Sequence, residues 1–153
     1  MMQTNFIDFA KQFTDEINDY LAVPTHSNTL NGLLQILTSA CSSSNLIAVC
    51  GNGGSMTDAM HFCAELSVRY TVNRKAFRAV ALASDVAYAT ACSNDFGYTQ
   101  VFARQVESLC STNDVVIGIS TSGKSSNVIA ALDKAKQIGC TTIGLTGPYV
   151  DLF

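Results

Sequence analysis

The chain has 153 residues, 48% of them hydrophobic and 14% charged, with 9 Lys and Arg against 12 Asp and Glu for a formal net charge of −3. That length and apolar share suit one domain with a real core and exclude a disordered polymer. An acidic balance without a basic run argues against nucleic acid or an anionic membrane surface as a partner, and no apolar stretch is long enough to span a bilayer.

The segment NFIDFAKQFTDEINDYL places Phe6, Phe9, Phe13, Ile17, Tyr20 and Leu21 three and four residues apart, which predicts a helix with one apolar stripe, ended by Pro24. SNTLNGLLQILTSAC predicts a second helix, with Leu30, Leu33, Leu34 and Leu37 on one face. The start, MMQTNFIDFAKQF, has no basic region followed by an apolar one and is not read as a signal peptide. From residue 45 the pattern changes. NLIAVC is a short continuous apolar run, as expected of a strand buried on both faces. A glycine turn and a helix of about residues 55–69 follow. AFRAVAL predicts a weaker strand, and SDVAYATACSNDFGYTQVFARQVESLC a helix in two pieces, broken near Asn94 to Gly97. DVVIGIS is a third strand, SSNVIAALDKAKQIG a helix with Gly139 as its C-terminal cap, and CTTIGLTG a fourth strand. Alternating strands and helices predict an α/β fold, a doubly wound parallel sheet in three layers of the flavodoxin-like kind. Residues 1–153 read as a single domain. Residues 1–41 are its N-terminal helices, expected to pack on the core or, as an oligomerisation element, on another subunit, and residues 45–147 are its parallel core.

Cys41, Cys50, Cys63, Cys92, Cys110 and Cys140 form no C-x-x-C pair, and most lie in apolar periodic segments. They read as free thiols of a reducing cytoplasm. Neither His26 nor His61 marks a cysteine nucleophile.

Two loops stand out. GNGGS (51–55) follows the first strand and STSGKSS (120–126) the third, and each opens a helix. In a parallel sheet such loops gather at the carboxyl ends of the strands, where free N–H groups and a partial positive charge suit an anion. Glycine allows close backbone approach, and the hydroxyls of Ser120, Thr121, Ser122 and Ser125 add hydrogen bonds suited to a phosphomonoester. Neither loop is a Walker A motif or G-x-G-x-x-G, which disfavours a nucleotide. Read singly, each is also an ordinary turn with a helix cap.

On a wheel at about 100° per residue, Met56, Ala59, Met60, Phe62, Cys63, Ala64 and Leu66 fill an apolar arc, while Asp58, His61, Glu65 and Arg69 share a strip of roughly 80°. His61 and Glu65, at i and i+4, converge. They read as two metal ligands, as a general base with its orienting neighbour, or as the solvated face of an amphipathic helix.

CGNGGSMTDAMHFCAELSVRY, SNDFGYTQVF and GISTSGKSSNVI together resemble the phosphoheptose isomerase family of the sugar isomerase (SIS) domain superfamily, in register from about residue 45 to 147. The resemblance implies a cytoplasmic homotetramer that converts D-sedoheptulose 7-phosphate to D-glycero-D-manno-heptose 7-phosphate, the first step toward the heptoses of lipopolysaccharide and related glycans. It implies that Asn52, Gly53, Gly54 and Ser55 touch the sugar, that Asn94 and Asp95 bind its hydroxyls, and that Ser120, Thr121, Ser122 and Ser125 hold the phosphate. It makes His61 and Glu65 zinc ligands, with Glu65 also the catalytic base. Met56 stands where the family often has histidine. The family continues into a further strand and a long helix carrying a glutamine and a histidine that complete the zinc site and supply the acid, and the chain as given stops short of these. The superfamily also holds non-catalytic members, which sense sugar phosphates or bind the replication initiator DnaA. Retention of His61 and Glu65 favours the enzyme.

Overall fold

The computed structural model describes residues 5–147. They divide into two compact units, one ending at Ile36 and the other starting at Leu37.

The first unit holds α1 (Phe6–Ala22) and the start of α2 (Pro24–Ser42). Asn5 caps α1, its Oδ1 accepting from the Asp8 N–H at 3.0 Å. Pro24 does more than end the first helix. It opens α2, taking a first-turn position where a missing N–H costs nothing. No residue of α1 is buried, and Phe6, Phe9, Phe13, Ile17 and Tyr20 lie open.

The second unit is a four-stranded, all-parallel sheet. Its strands are β1 (Ile47–Gly51), β2 (Ala79–Ala81), β3 (Val115–Ser120) and β4 (Thr141–Thr146), in spatial order β2-β1-β3-β4. The helices are α3 (Gly54–Ser67), α4 (Val86–Phe96), α5 (Val101–Leu109) and α6 (Ser126–Ile138). The doubly wound reading is therefore correct. Alternate residues of β1 point to opposite faces. Ala48 and Cys50 join Leu82, Val101, Val106, Val116, Val128 and Leu132 in one core, while Ile47 and Val49 join Ala59, Cys63, Val115 and Ile117 in the other. Gly118 lets α6 lie close on β3, since a Cβ there would sit 2.6 Å from Val128 Cγ1.

The break expected near Asn94 to Gly97 falls at Gly97, where α4 stops with a φ of 82° that few other residues adopt. Two details differ from the sequence reading. β2 is only three residues long. Met60 and Ala64, placed on the apolar arc of α3, are exposed, and burial is confined to Ala59 and Cys63 with Met56, Phe62 and Leu66 half-buried.

Candidate functional site

The strand order makes β1 and β3 neighbours whose following helices start from a common edge, paired in register from Ile47↔Val115 to Gly51↔Ile119. The chain leaves β1 toward β2 on one side and crosses to β3 on the other. The loops after β1 and β3 therefore flank the switch point, where parallel sheets bind ligands.

Each loop is shaped by a close approach. A Cβ on Gly51 would lie 2.7 Å from Ser55 Cβ and 2.8 Å from the Ser55 backbone, so only glycine lets α3 rise directly from the strand. Gly53 turns the chain with φ 55°, and Gly123 turns the second loop with φ 66°. In that second loop the Ser120 hydroxyl bonds Ser125 Oγ at 2.9 Å, Ser122 Oγ accepts from the Lys124 N–H at 3.2 Å, and the Thr121 carbonyl accepts from the Gly147 N–H at 3.2 Å. Ser120 is buried, Ser125 half-buried, and Thr121 and Ser122 exposed.

The starts of the two helices differ from those of α1 and α4. Asn5 and Asp85 cap α1 and α4 with side-chain oxygens, whereas neither Gly53 at α3 nor Ser125 at α6 makes a side-chain cap. α5 also starts without a side-chain cap, and Val128 N–H at the start of α6 is taken by Asn127 Oδ1. α3 and α6 are distinguished by starting at the switch point, where their remaining N–H groups and dipole charge suit an external anion.

The loops are tied together by a residue that the sequence reading did not single out. Asn52 Nδ2 donates to Asn127 Oδ1 at 2.9 Å, and Asn127 Nδ2 donates back to Asn52 Oδ1 at 2.8 Å. Tyr98 Oη also donates to Asn52 Oδ1, at 2.8 Å. The signal for Asn127 was present: it lies one and two turns before Ala131 and Ala135, a polar residue on the buried stripe of α6. Tyr98 belongs to the SNDFGY stretch, in a 3-10 turn between α4 and α5. Asn52, Gly53, Met56, Tyr98, Val101 and Phe102 are among the walls of a cavity of about 100 Å³.

Other expected site residues lie apart from this knot. Asn94 donates to Asp95 Oδ1 at 2.9 Å, and both are exposed in the last turn of α4. His61 Nε2 and Glu65 Oε1 meet at 3.1 Å, with side chains 76% and 34% exposed. They follow the start of α3 by about 10 and 16 Å along its axis. Arg74 fastens the far end of α3, donating to the carbonyls of Glu65 at 2.7 Å and Leu66 at 2.9 Å. His61 and Glu65 are suitable zinc donors, but two do not make a centre that takes three or more protein ligands. No cluster of three or more His, Cys, Asp or Glu exists among the described residues, so these residues alone do not fit a zinc ion.

All six cysteines are free. Burial pushes the Cys50 thiol up to about 12 and the Cys63 thiol to about 11. Such thiols stay protonated near neutrality and make poor nucleophiles, which agrees with rejecting cysteine catalysis.

The class defined is a three-layer parallel α/β domain with two glycine- and serine-rich loops at its switch point. The family model described as SIS domain matches residues 12–147. The chain is 44% identical over 136 residues to a phosphoheptose isomerase of Campylobacter jejuni, spanning 86% of this chain and 73% of that one. It is 49% identical over 125 residues to one from Aliarcobacter butzleri, spanning 82% and 66%. A solved phosphoheptose isomerase from Francisella tularensis superposes with a TM-score of 0.72 at 30% identity, over 89% of this chain and 78% of that chain. The chain belongs to the SIS domain family and, within it, to the phosphoheptose isomerase family. It spans between about half and two thirds of several curated relatives, from 53% of one from Helicobacter pylori to 66% of the Aliarcobacter protein.

Proposed function

We propose that the protein is a phosphoheptose isomerase acting on D-sedoheptulose 7-phosphate, with the phosphate held at the Ser120–Ser125 loop and the sugar directed toward α3. The observation that carries this reading is the pair of helix starts without side-chain caps, on adjacent strands, tied by Asn52 and Asn127. The relatives' names supply the substrate class.

A ketose-to-aldose shift moves a proton between neighbouring carbons. The base takes a proton from C1, the C–H electron pair forms the C1=C2 bond of an enediol, and the C2 oxygen gains a proton. The C1 oxygen then gives up its proton as C1 becomes the aldehyde, and a proton returns to C2. Glu65 is the carboxylate assigned to the carbon proton, and its contact with His61 orients it. Asn94 and Asp95 are assigned to the sugar hydroxyls. Asn52 has its amide oxygen filled by Tyr98 and Asn127, so its remaining Nδ2–H is what it offers a sugar. The acid is assigned to chain outside residues 5–147. Zinc belongs to the proposal as an ion shared by His61, Glu65 and ligands from outside those residues.

The reading extends to a cytoplasmic homotetramer, supported by the open apolar stripe of α1 and by thiols that remain free. No helix among the described residues is long and apolar enough to cross a membrane. Conversion of sedoheptulose 7-phosphate to an aldose, followed with and without added zinc, tests the activity. Turnover supports the enzyme. Binding without turnover under both conditions supports the non-catalytic reading.

A further inference from the structure

We propose that Asn127 is a positioning residue that fixes the first loop against the phosphate loop, so that one ligand can engage both. The proposal rests on the functional reading above and adds a residue to it.

Three observations carry it. Asn127 is 3% exposed, too buried to meet a ligand with its side chain as a surface group would. Both ends of its carboxamide are engaged: Nδ2 donates to Asn52, while Oδ1 accepts from Asn52 Nδ2 and from the Val128 N–H at 3.0 Å. The tie also crosses the switch point, joining the loop after β1 to the first turn of α6, two residues beyond Ser125. A purely apolar stripe on α6 would serve packing better, because a buried amide is tolerated only when its bonds are made. A two-way amide pair fixes both distance and orientation, which one hydrogen bond does not. Tyr98 donates to the same Asn52 oxygen, so the first loop is tied both to α6 and to the turn before α5.

The consequence is a division of labour. Inorganic phosphate needs only the second loop, whereas sedoheptulose 7-phosphate needs both loops at a set separation. The test measures the dissociation constants of both probes by titration calorimetry on the wild-type chain and on Asn127→Ala, Asn127→Asp, Asn52→Ala and the Asn52→Ala/Asn127→Ala double variant. Circular dichroism and thermal unfolding are recorded for each. Asn127→Asp keeps the acceptor for Asn52 and Val128 and serves if the alanine variant fails to fold. Loss of the tie predicts at least tenfold weaker sugar phosphate binding in Asn127→Ala, with inorganic phosphate changed less than threefold. The aspartate variant should fall between it and wild type, and the double variant should be no weaker than the worse single variant.

Wild-type-like sugar phosphate affinity in both Asn127 variants overturns the positioning role and leaves the functional reading standing. Parallel weakening of both probes overturns it too, since that marks general damage to the phosphate loop. Failure of the wild-type chain to bind either probe overturns the functional reading, and the proposal with it.

Discussion

Asn52 and Asn127, 75 positions apart in the chain, exchange two amide hydrogen bonds of 2.9 and 2.8 Å and so join the loops after the two central strands. The strand order allows it: β1 and β3 are neighbours, so two loops distant in sequence end side by side. A ligand placed there meets two helix starts rather than one, and the predictions below follow from that arrangement.

The hydroxyls of the second loop should carry much of the phosphate affinity. A hydrogen bond to a charged group contributes about 1.5–3 kcal/mol, and about 1.4 kcal/mol is tenfold in affinity. Ser120→Ala and Ser122→Ala should each weaken sedoheptulose 7-phosphate binding at least tenfold in titration calorimetry. Unchanged affinity in both removes the phosphate assignment.

Glu65 should matter for turnover and not for phosphate. Glu65→Gln keeps the size of the side chain and a hydrogen bond to His61 but removes the base. It should abolish isomerisation while leaving inorganic phosphate affinity within about twofold; normal turnover would place the base elsewhere. Zinc should bind more weakly to His61→Ala and to Glu65→Gln than to the unaltered protein, because each variant removes one of the proposed ligands; equal affinity in both would remove these residues from the zinc site.

The apolar stripe of α1 should bury itself between copies of the chain. Phe6 is 82% exposed, Phe9 59% and Phe13 57%, more apolar surface than a solvated helix carries. Light scattering at micromolar concentration should give four times the chain mass, and Phe9→Glu with Phe13→Glu should lower it. A monomer mass for the unaltered chain contradicts the tetramer.

Buried thiols should make the fold sensitive to alkali. The Cys50 thiol titrates near 12 when folded, against an ordinary value of 9.0. Above pH 9 the unfolded chain therefore binds fewer protons than the folded one, and stability falls as pH rises toward 12. Cys50 contributes a slope of at most about 1.4 kcal/mol per pH unit in that window. Stability below pH 9 is untouched by this group. Denaturant unfolding of Cys50→Ala should show a shallower decline between pH 9 and 11 than wild type; an equal slope would assign the effect to other groups.

Much of this fold was legible because its signals are local. Continuous apolar runs at Ile47–Gly51 and Val115–Ser120 and the glycine at 139 each declare an element or its end. The break expected near Asn94 to Gly97 falls at the end of that stretch: Asn94 and Asp95, though weak helix formers, stay helical until the positive φ of Gly97 ends α4. Both loops were readable from their glycines and serines. The tie between them was not, because pairing Asn52 with Asn127 depends on strand order, which no periodicity reports. The polar residue on the buried stripe of α6 was the one trace it left.

The central claim is that a sugar phosphate spans both loops at the switch point, and amide chemical-shift mapping with sedoheptulose 7-phosphate tests it most directly. The account predicts the largest shifts in two separate stretches, residues 52–56 and 120–128, with inorganic phosphate moving mainly the second. Shifts confined to one stretch for the sugar phosphate, or centred elsewhere on the chain, would contradict it.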